Sequence, residues 1–201
     1  MNWLKTVTAK IDFDVDIDMA NREDFLRLVN HIPAGIKADD GTYSKHNTGV
    51  YFQTIPTFPL EGFSSIDYET AEEDGWFKVD ILNNGIYKDV KDEAHLTQLM
   101  EVDPLWELLE HEEFVEKLFH ISNYSNILAQ YKPTSVEQLA MILAIIRPGK
   151  KHLIGKSWED IAKQVWVKPT DGSYYFKHSH AIAYAVAIVV QMNLICESAY
   201  A

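Results

Sequence analysis

Residues 11–19 read Ile11-Asp12-Phe13-Asp14-Val15-Asp16-Ile17-Asp18-Met19, and this stretch carries the clearest structural signal in the chain. Apolar and acidic residues alternate without interruption, which is the period of two of a β-strand with one buried face. The four aspartates therefore share the opposite face, with successive carboxylates roughly 7 Å apart. The pattern predicts a strand over 7–19 whose acidic face lines a surface or a cleft.

Carboxylates projected in this way suit Mg²⁺, which takes one or two of them and completes its shell with water and substrate phosphates. Asp80 belongs with them, because 77–82 predicts a second apolar strand that carries Lys78 and Asp80 on one face. A third carboxylate from a neighbouring strand would complete a two-metal site. The alternatives are a solvated edge strand for 11–19 and an ordinary ion pair for Lys78 and Asp80.

The rest of the N-terminal half is predicted to combine a helix with further strands. Asn21 is placed to cap a short helix whose inner face carries Phe25, Leu28 and Val29. Residues 31–47 are predicted to form a loop because they contain Pro33, Gly35 and Asp39-Asp40-Gly41. Strands are predicted over 49–54 and 76–82.

From about Leu96 the sequence predicts helices. Thr134 and Ser135 precede Glu137 and Gln138 by three residues, as in a capping box, and Arg147-Pro148-Gly149 ends the helix that they open. Ser157 and Asp160 start another helix, and 178–198 predicts a helix apolar nearly all round, which favours a buried core helix over a membrane span. Strands followed by helices predict an α+β fold with regions 1–94 and 95–201 that share a core.

Charge and cysteine content narrow the classes of protein. The chain has 201 residues, a net charge of −12 and one cysteine. A single cysteine excludes an internal disulfide framework, and together with the absence of a recognisable secretory signal it favours a cytoplasmic location. The net charge argues against a general binder of nucleic-acid backbones. Residues 138–180 nevertheless carry seven basic and three acidic side chains, so they can form a local anion site or a solvated helix face.

Five segments, in order, resemble motifs of the alpha subunit of bacterial replicative DNA polymerase III, a C-family polymerase. Residues 12–17 resemble the palm motif P-D-x-D-x-D-F, and 45–50 (Lys-His-Asn-Thr-Gly-Val) resemble K/R-H-A-A-G-V. Residues 78–82 resemble K-x-D-x-L-G-L, and 133–149 resemble the fingers segment P-x-x-x-E-D-L…R-P-G-P. Residues 176–185 are similar to F-N-K-S-H-A-x-A-Y-A.

The resemblance implies a palm sheet related to polymerase-beta-type nucleotidyltransferases, followed by helical fingers. It implies a Mg²⁺-dependent DNA-directed DNA polymerase in which Asp12, Asp14 and Asp80 hold two metal ions, with Asp16 as an alternative ligand. Nucleotidyl groups would pass from a dNTP to the primer 3′-hydroxyl of a primer-template DNA. The residues implied to bind substrate are Lys78, Arg147, Lys150, Lys151, Ser179 and His180.

The family also has a Gly-Ser phosphate-binding motif upstream of the palm aspartates, which this sequence lacks. The resemblance therefore implies a phage-type miniature or a split polymerase in which a second chain supplies that segment. Two other interpretations remain open. In the first, the chain is a catalytically incomplete relic that binds DNA or a replication protein. In the second, it is another Mg²⁺-dependent nucleotidyltransferase or nuclease built on the same palm.

Overall fold

The computed structural model describes residues 15–171 and 173–200. The chain divides into two compact units, one up to Lys88 and one from Asp89 onward. The first holds all four strands of the sheet described below, and the second is helical. The α+β class is confirmed. The predicted boundary at 94/95 falls inside the first helix of the second unit.

The first unit is built on a four-stranded mixed sheet. Its elements are β1 (Val15–Met19), α1 (Arg22–Leu28), β2 (Ile32–Lys37), β3 (Tyr43–Tyr51), α2 (Tyr68–Glu73) and β4 (Val79–Asn83). The strand order is β1-β4-β3-β2. β1 runs parallel to β4, while β3 is antiparallel to both β4 and β2.

The predicted alternation is confirmed over the part of the first strand that the structure describes. Val15, Ile17 and Met19 pack on the core formed by Leu26, Val50, Val79 and Ile81, so the face that they share is buried. Asp16 and Asp18 lie on the opposite face by the pleat of the strand. Residues 7–14 of the predicted strand lie outside the described residues.

The predicted loop over 31–47 is wrong, because this segment forms the β2–β3 hairpin. Ala38 and Thr42 close its turn, with a 2.8 Å bond from the Ala38 N–H to the Thr42 carbonyl, and Gly41 adopts a φ of 83°. Asp40-Gly41 is itself a hairpin signal. Pro33 and Gly35 argued against a strand, but they lie where the register of the β2–β3 pair shifts, which is where a sheet tolerates such residues.

The predicted inner face of α1 is wrong in one position. Asn21 caps the helix as predicted, accepting a bond from the Glu23 N–H. Leu28, however, is 83% exposed, while Leu26 is buried. The helix is only two turns long, and its buried stripe passes through Leu26 rather than Leu28.

The second unit contains six helices over its described residues, together with short 3₁₀ turns. They are α3 (Glu93–Glu101), α4 (Glu112–Val115), α5 (Ser125–Tyr131), α6 (Val136–Ile145), α7 (Trp158–Gln164) and α8 (His178–Tyr200). Helix α4 is a single turn and is the shortest of them, whereas α8 is the longest. The predicted caps at Ser135 and Ser157 are confirmed, each accepting a bond from the backbone N–H three residues later.

Helix α8 is the central helix of this unit. Ala181, Ala185, Ile188 and Met192 are buried along it and pack in one core with α6. The helix is long and apolar enough to cross a membrane, but 44% of its most apolar 18-residue stretch is buried inside the protein. The prediction of a core helix is confirmed by this packing.

Candidate functional site

Asp80 lies where three of the motif-bearing segments meet in the sheet. In β4 it is the register partner of Asp16 in β1 and of Gly49 in β3. Register partners on neighbouring strands project side chains to the same face, so the carboxylates of Asp16 and Asp80 share the face opposite the apolar core. The register therefore brings Asp16, the alternative ligand, next to Asp80 in the sheet. Asp12 and Asp14 lie outside the described residues.

The carboxylate of Asp80 is held by bonds to both of its oxygens. The Lys78 ammonium forms an ion pair with Oδ2, and the Thr48 hydroxyl donates a 2.6 Å bond to Oδ1. The side chains of Asp80 and Lys78 are 13% and 20% exposed. At that depth an unpaired charge is costly, and Lys78 supplies the compensating charge.

His46 packs beside this ion pair as a neutral ring. Its Nδ1 accepts bonds from the Gly49 N–H at 2.8 Å and the Thr48 N–H at 3.2 Å, so the proton is assigned to Nε2. Burial lowers the pKa of His46 and outweighs the opposite effect of Asp80. Nδ1 lies 3.7 Å from the Asp80 Oδ1. Because Nδ1 is an acceptor, this contact is not an ion pair.

Gly49 is required by the close approach of two side chains. A Cβ at this position would lie 2.8 Å from the Lys78 Cδ and 3.0 Å from the His46 Nδ1. Real Cβ atoms essentially never lie 2.8 Å from a neighbouring atom, and 3.0 Å is a tight contact, so an added Cβ would displace the Lys78 side chain. The glycine of the Lys-His-Asn-Thr-Gly-Val segment therefore lets Lys78 and His46 close over β3 next to Asp80.

An aromatic ring and a buried arginine complete the surroundings of Asp80. Tyr68, at the start of α2, meets the His46 ring edge to face with centroids 5.5 Å apart, and the Lys78 Nζ lies 5.8 Å from the centre of its ring. Arg22 is 8% exposed; it pairs with Glu23 at 3.1 Å and makes a long 3.4 Å contact to the Thr48 carbonyl. Thr48 and Tyr68 were not predicted as site residues, since a neutral side chain carries no signal until the fold brings it to a charge.

Asp18 takes part in a different contact from Asp16. Its register partner is Leu82, and its Oδ2 accepts a 3.0 Å bond from the Asn84 side-chain amide. Within the described residues no group of three or more His, Cys, Asp or Glu side chains is close enough to hold a metal ion. The described part of the acidic face therefore offers the carboxylates of Asp16 and Asp80 as neighbours.

In the helical unit, the fold brings the last two motifs together around one aromatic ring. Arg147 follows α6, and its guanidinium carbon lies 5.0 Å from the centre of the Phe176 ring. His180, in the first turn of α8, stacks on the same ring with centroids 6.2 Å apart and an angle of 12°. The Nε of Arg147 is buried with no hydrogen-bond partner among the described residues. Ser179, also predicted, is exposed.

The loop after Arg147 is anchored by a close backbone contact. The Gly149 N–H donates a 2.8 Å bond to the Tyr174 carbonyl, and a Cβ on Gly149 would lie 2.7 Å from that oxygen. The glycine of Arg-Pro-Gly therefore permits the loop to reach the segment that leads into Phe176. This contact brings Arg147 close to the ring of Phe176, on which His180 also stacks.

The two lysines of this loop have different environments. Lys150 is 5% exposed, and its ammonium donates to the Gln164 carbonyl at 2.7 Å and the Val167 carbonyl at 2.6 Å, at the C-terminal end of α7. Burial lowers the pKa of Lys150. Lys151 is exposed. The described contacts therefore give Lys150 a structural role and leave Lys151 accessible to an anion.

Replacing Lys150 with methionine is expected to lower the free energy of unfolding by about 2 kcal/mol, because two carbonyls lose their charged donor. The matched change Lys151→Met removes the same group from an exposed position and should cost less than about 0.5 kcal/mol. Urea unfolding followed by circular dichroism measures both. Equal stabilities for the two variants would contradict the role assigned to Lys150.

No protein-family model, curated protein or solved structure matches the chain. The sites described above and the motifs of the sequence are therefore the features that bear on its function.

Proposed function

We propose that the chain is a nucleotidyltransferase of the C-family polymerase type, the core or one subunit of a DNA-directed DNA polymerase. The observation that carries the proposal is the register of Asp80 with Asp16 on one side and with Gly49 on the other. Three segments that are separated in sequence and resemble three palm motifs are thereby neighbours in one sheet. Such an arrangement is what a polymerase-beta-like palm requires.

The donor chemistry at Asp80 fits a magnesium ion. Two carboxylates on adjacent strands supply the hard oxygen ligands that Mg²⁺ takes, and substrate phosphates and water complete its shell. We assign two such ions to Asp80 together with Asp12 and Asp14, and keep Asp16 as the alternative ligand. When bound, two such ions would activate the primer hydroxyl and stabilise charge on the phosphates of the dNTP.

The residues around Asp80 have separate roles in this proposal. Thr48 holds the orientation of the carboxylate through its bond to Oδ1. Lys78 neutralises Asp80 in the absence of a cation and is free to bind a triphosphate oxygen once a cation has taken its place. Neutral His46 adds no positive charge that would compete with the metal.

The helical unit is proposed to bind phosphate. Arg147 and Lys151 are the cations assigned to this task, and Ser179 and His180 are assigned to the same site. The Arg147 guanidinium lies over the ring of Phe176, which restricts its motion, and lies in the same cluster as His180. The proposed substrates are primer-template DNA and dNTPs, and a second polymerase chain is proposed to supply a Gly-Ser phosphate-binding segment. The proposed location is the cytoplasm, that of the bacterial host if the chain is phage-encoded.

One observation favours a second candidate, the catalytically incomplete relic that binds DNA or a replication protein. Both oxygens of Asp80 already have partners within the chain, Lys78 and Thr48. A carboxylate whose function is to hold the sheet together would be bonded in the same way. In that case the site takes up neither Mg²⁺ nor a nucleotide.

Ligand-dependent thermal unfolding separates the two candidates. At a concentration a hundredfold above the dissociation constant, a ligand of the folded state stabilises it by about 2.7 kcal/mol, which raises the Tm of a chain of this size by roughly 5–10 °C. We expect that rise with Mg²⁺ and dNTP together, and its loss on adding EDTA. Asp39→Asn, an exposed turn position, should shift like the wild type, whereas Asp80→Asn should not shift. An unchanged Tm at millimolar ligand would favour the relic.

A further inference from the structure

An open, mainly apolar groove lies at the C-terminal ends of α3 and α8 in the helical unit. Its volume is about 550 Å³, within the range of sites that bind organic groups. The residues lining it are Gln98, Leu99, Val102, Asp103, Leu105, Asn193, Cys196 and Glu197. None of these belongs to the candidate site around Asp80 or to the cluster around Phe176.

The groove is held in shape by one buried amide. The side chain of Asn193 is buried and donates two 2.9 Å bonds, to the carbonyls of Leu99 and Val102. These bonds tie the end of α3 to α8 at the groove. The cavity is therefore a fixed feature of the packing between the two helices.

The apolar part of the groove is left exposed to solvent. Val102 and Leu105, which line it, are 50% and 53% exposed, and Met100 next to them in sequence is 50% exposed. Clusters of exposed apolar side chains on a folded surface mark binding sites, whereas scattered ones do not. The apolar surface extends over more than one side chain, which suits a segment of polypeptide.

The electrostatic character of the groove is negative. Asp103 and Glu197 line it, and no Lys or Arg side chain does among the described residues. His95 Nδ1 accepts a bond from the Lys91 N–H, so the neutral ring donates from Nε2 to Glu197 at 3.0 Å and leaves the charge of that carboxylate in place. The last turn of α3 also has no basic residue to offset its negative end.

We propose that this groove is a docking site for a partner protein, which inserts apolar side chains from a basic amphipathic segment. The apolar floor receives the anchors, and the carboxylates of Asp103 and Glu197 attract the flanking lysines or arginines. The chain around the groove is itself acidic: residues 89–120 carry ten carboxylates against Lys91 and Lys117. A basic partner is therefore favoured over an acidic or neutral one.

Cys196, the single cysteine of the chain, reports directly on occupation of the groove. The probe is a capped synthetic peptide with two leucines four residues apart, flanked on both sides by lysines. We expect it to slow alkylation of Cys196 by N-ethylmaleimide about tenfold at saturation, measured by intact mass. Two control peptides, with the leucines changed to serine or the lysines to glutamate, should give no protection.

Matched variants locate the binding on the protein. Val102→Ser should weaken binding of the peptide about tenfold, because serine lacks the two methyl groups that the bound peptide would cover. Val167→Ser, the same change at a 60% exposed position outside the groove, should leave the affinity unchanged. Asp103→Asn should weaken it about threefold at low salt, and Asp39→Asn should not. Fluorescence anisotropy of a labelled peptide measures these affinities.

Two outcomes would overturn the proposal. The first is that the lysine-leucine peptide leaves the alkylation rate of Cys196 unchanged up to millimolar concentration. The second is a loss of specificity, seen either as equal binding of all three peptides or as equal effects of Val102→Ser and Val167→Ser on the affinity. The experiment contains neither Mg²⁺ nor nucleotide, so its result is independent of the polymerase proposal.

Discussion

Asp80→Asn is expected to lower the rate of Mg²⁺-dependent primer extension at least about a hundredfold. Asparagine keeps the shape of the side chain and can still accept the bond from Thr48, but it loses the charge that a divalent ion requires. Losses of this size are usual when a group that stabilises charge in the transition state is removed. The measurement is extension of a labelled primer on a template with all four dNTPs, with the chain alone and with candidate partner chains.

The control for this experiment is Asp39→Asn, which removes a carboxylate from an exposed turn of the same unit and should extend primers at the wild-type rate. Circular dichroism at the assay temperature must show that both variants are folded. Wild-type extension that survives Asp80→Asn would exclude Asp80 as a catalytic ligand. No extension by the wild type with any partner, together with an unchanged Tm in Mg²⁺ and dNTP, would leave the relic as the explanation.

Gly35→Ala is expected to lower the free energy of unfolding of the first unit by about 3 kcal/mol. A Cβ on Gly35 would lie 2.4 Å from the backbone oxygen of Ser64 and 3.3 Å from that of Ile66. The obstacle is backbone, so it cannot rotate away as a long side chain can. Overpacking of this kind usually costs 1–3 kcal/mol, and the contact with Ser64 lies at the severe end.

Gly85→Ala is the matched control, because nothing lies within 4 Å of a Cβ added there and its φ is not positive. It should leave stability unchanged or raise it by up to about 0.5 kcal/mol through the entropy of the unfolded chain. Urea titration of both variants measures the difference. If Gly35→Ala were as stable as Gly85→Ala, the contact between β2 and residues 64–66 would not be as close as the structure has it.

Much of the local structure could be predicted from short-range patterns. The alternation over 15–19, the caps at Asn21, Ser135 and Ser157, and the apolar helix over 178–198 are all confirmed. Each depends on residues that lie within one strand or one helical turn of each other, so the sequence carries the whole signal. The hairpin over 32–51 was not predicted, because glycine and proline favour a loop when only the local sequence is read. The strand pairing that accommodates them is long-range.

The charged residues of the candidate site could be predicted from the sequence, but the contacts that support them could not. Asp80 and Lys78 are the charged residues of an otherwise apolar strand, and an ion pair between them is one of the alternatives that the sequence predicts. That Thr48 holds Asp80, or that Lys150 has its ammonium buried against two carbonyls, depends on which strands and helices become neighbours. A lysine has the same appearance in sequence whether it is buried or exposed, so Lys150 and Lys151 could be told apart only after folding.

Residue types and their spacing are enough to predict the class of the fold, the acidic face of the first strand and the separation of basic and acidic segments. These properties follow from residue type and spacing along the chain, which folding leaves unchanged. By contrast, three features emerge only on folding: Asp16, Gly49 and Asp80 become neighbours, Arg147 contacts Phe176, and a groove opens beside Cys196. Each of these depends on the register and packing of distant segments, which are set by the summed burial of many side chains and by no single motif.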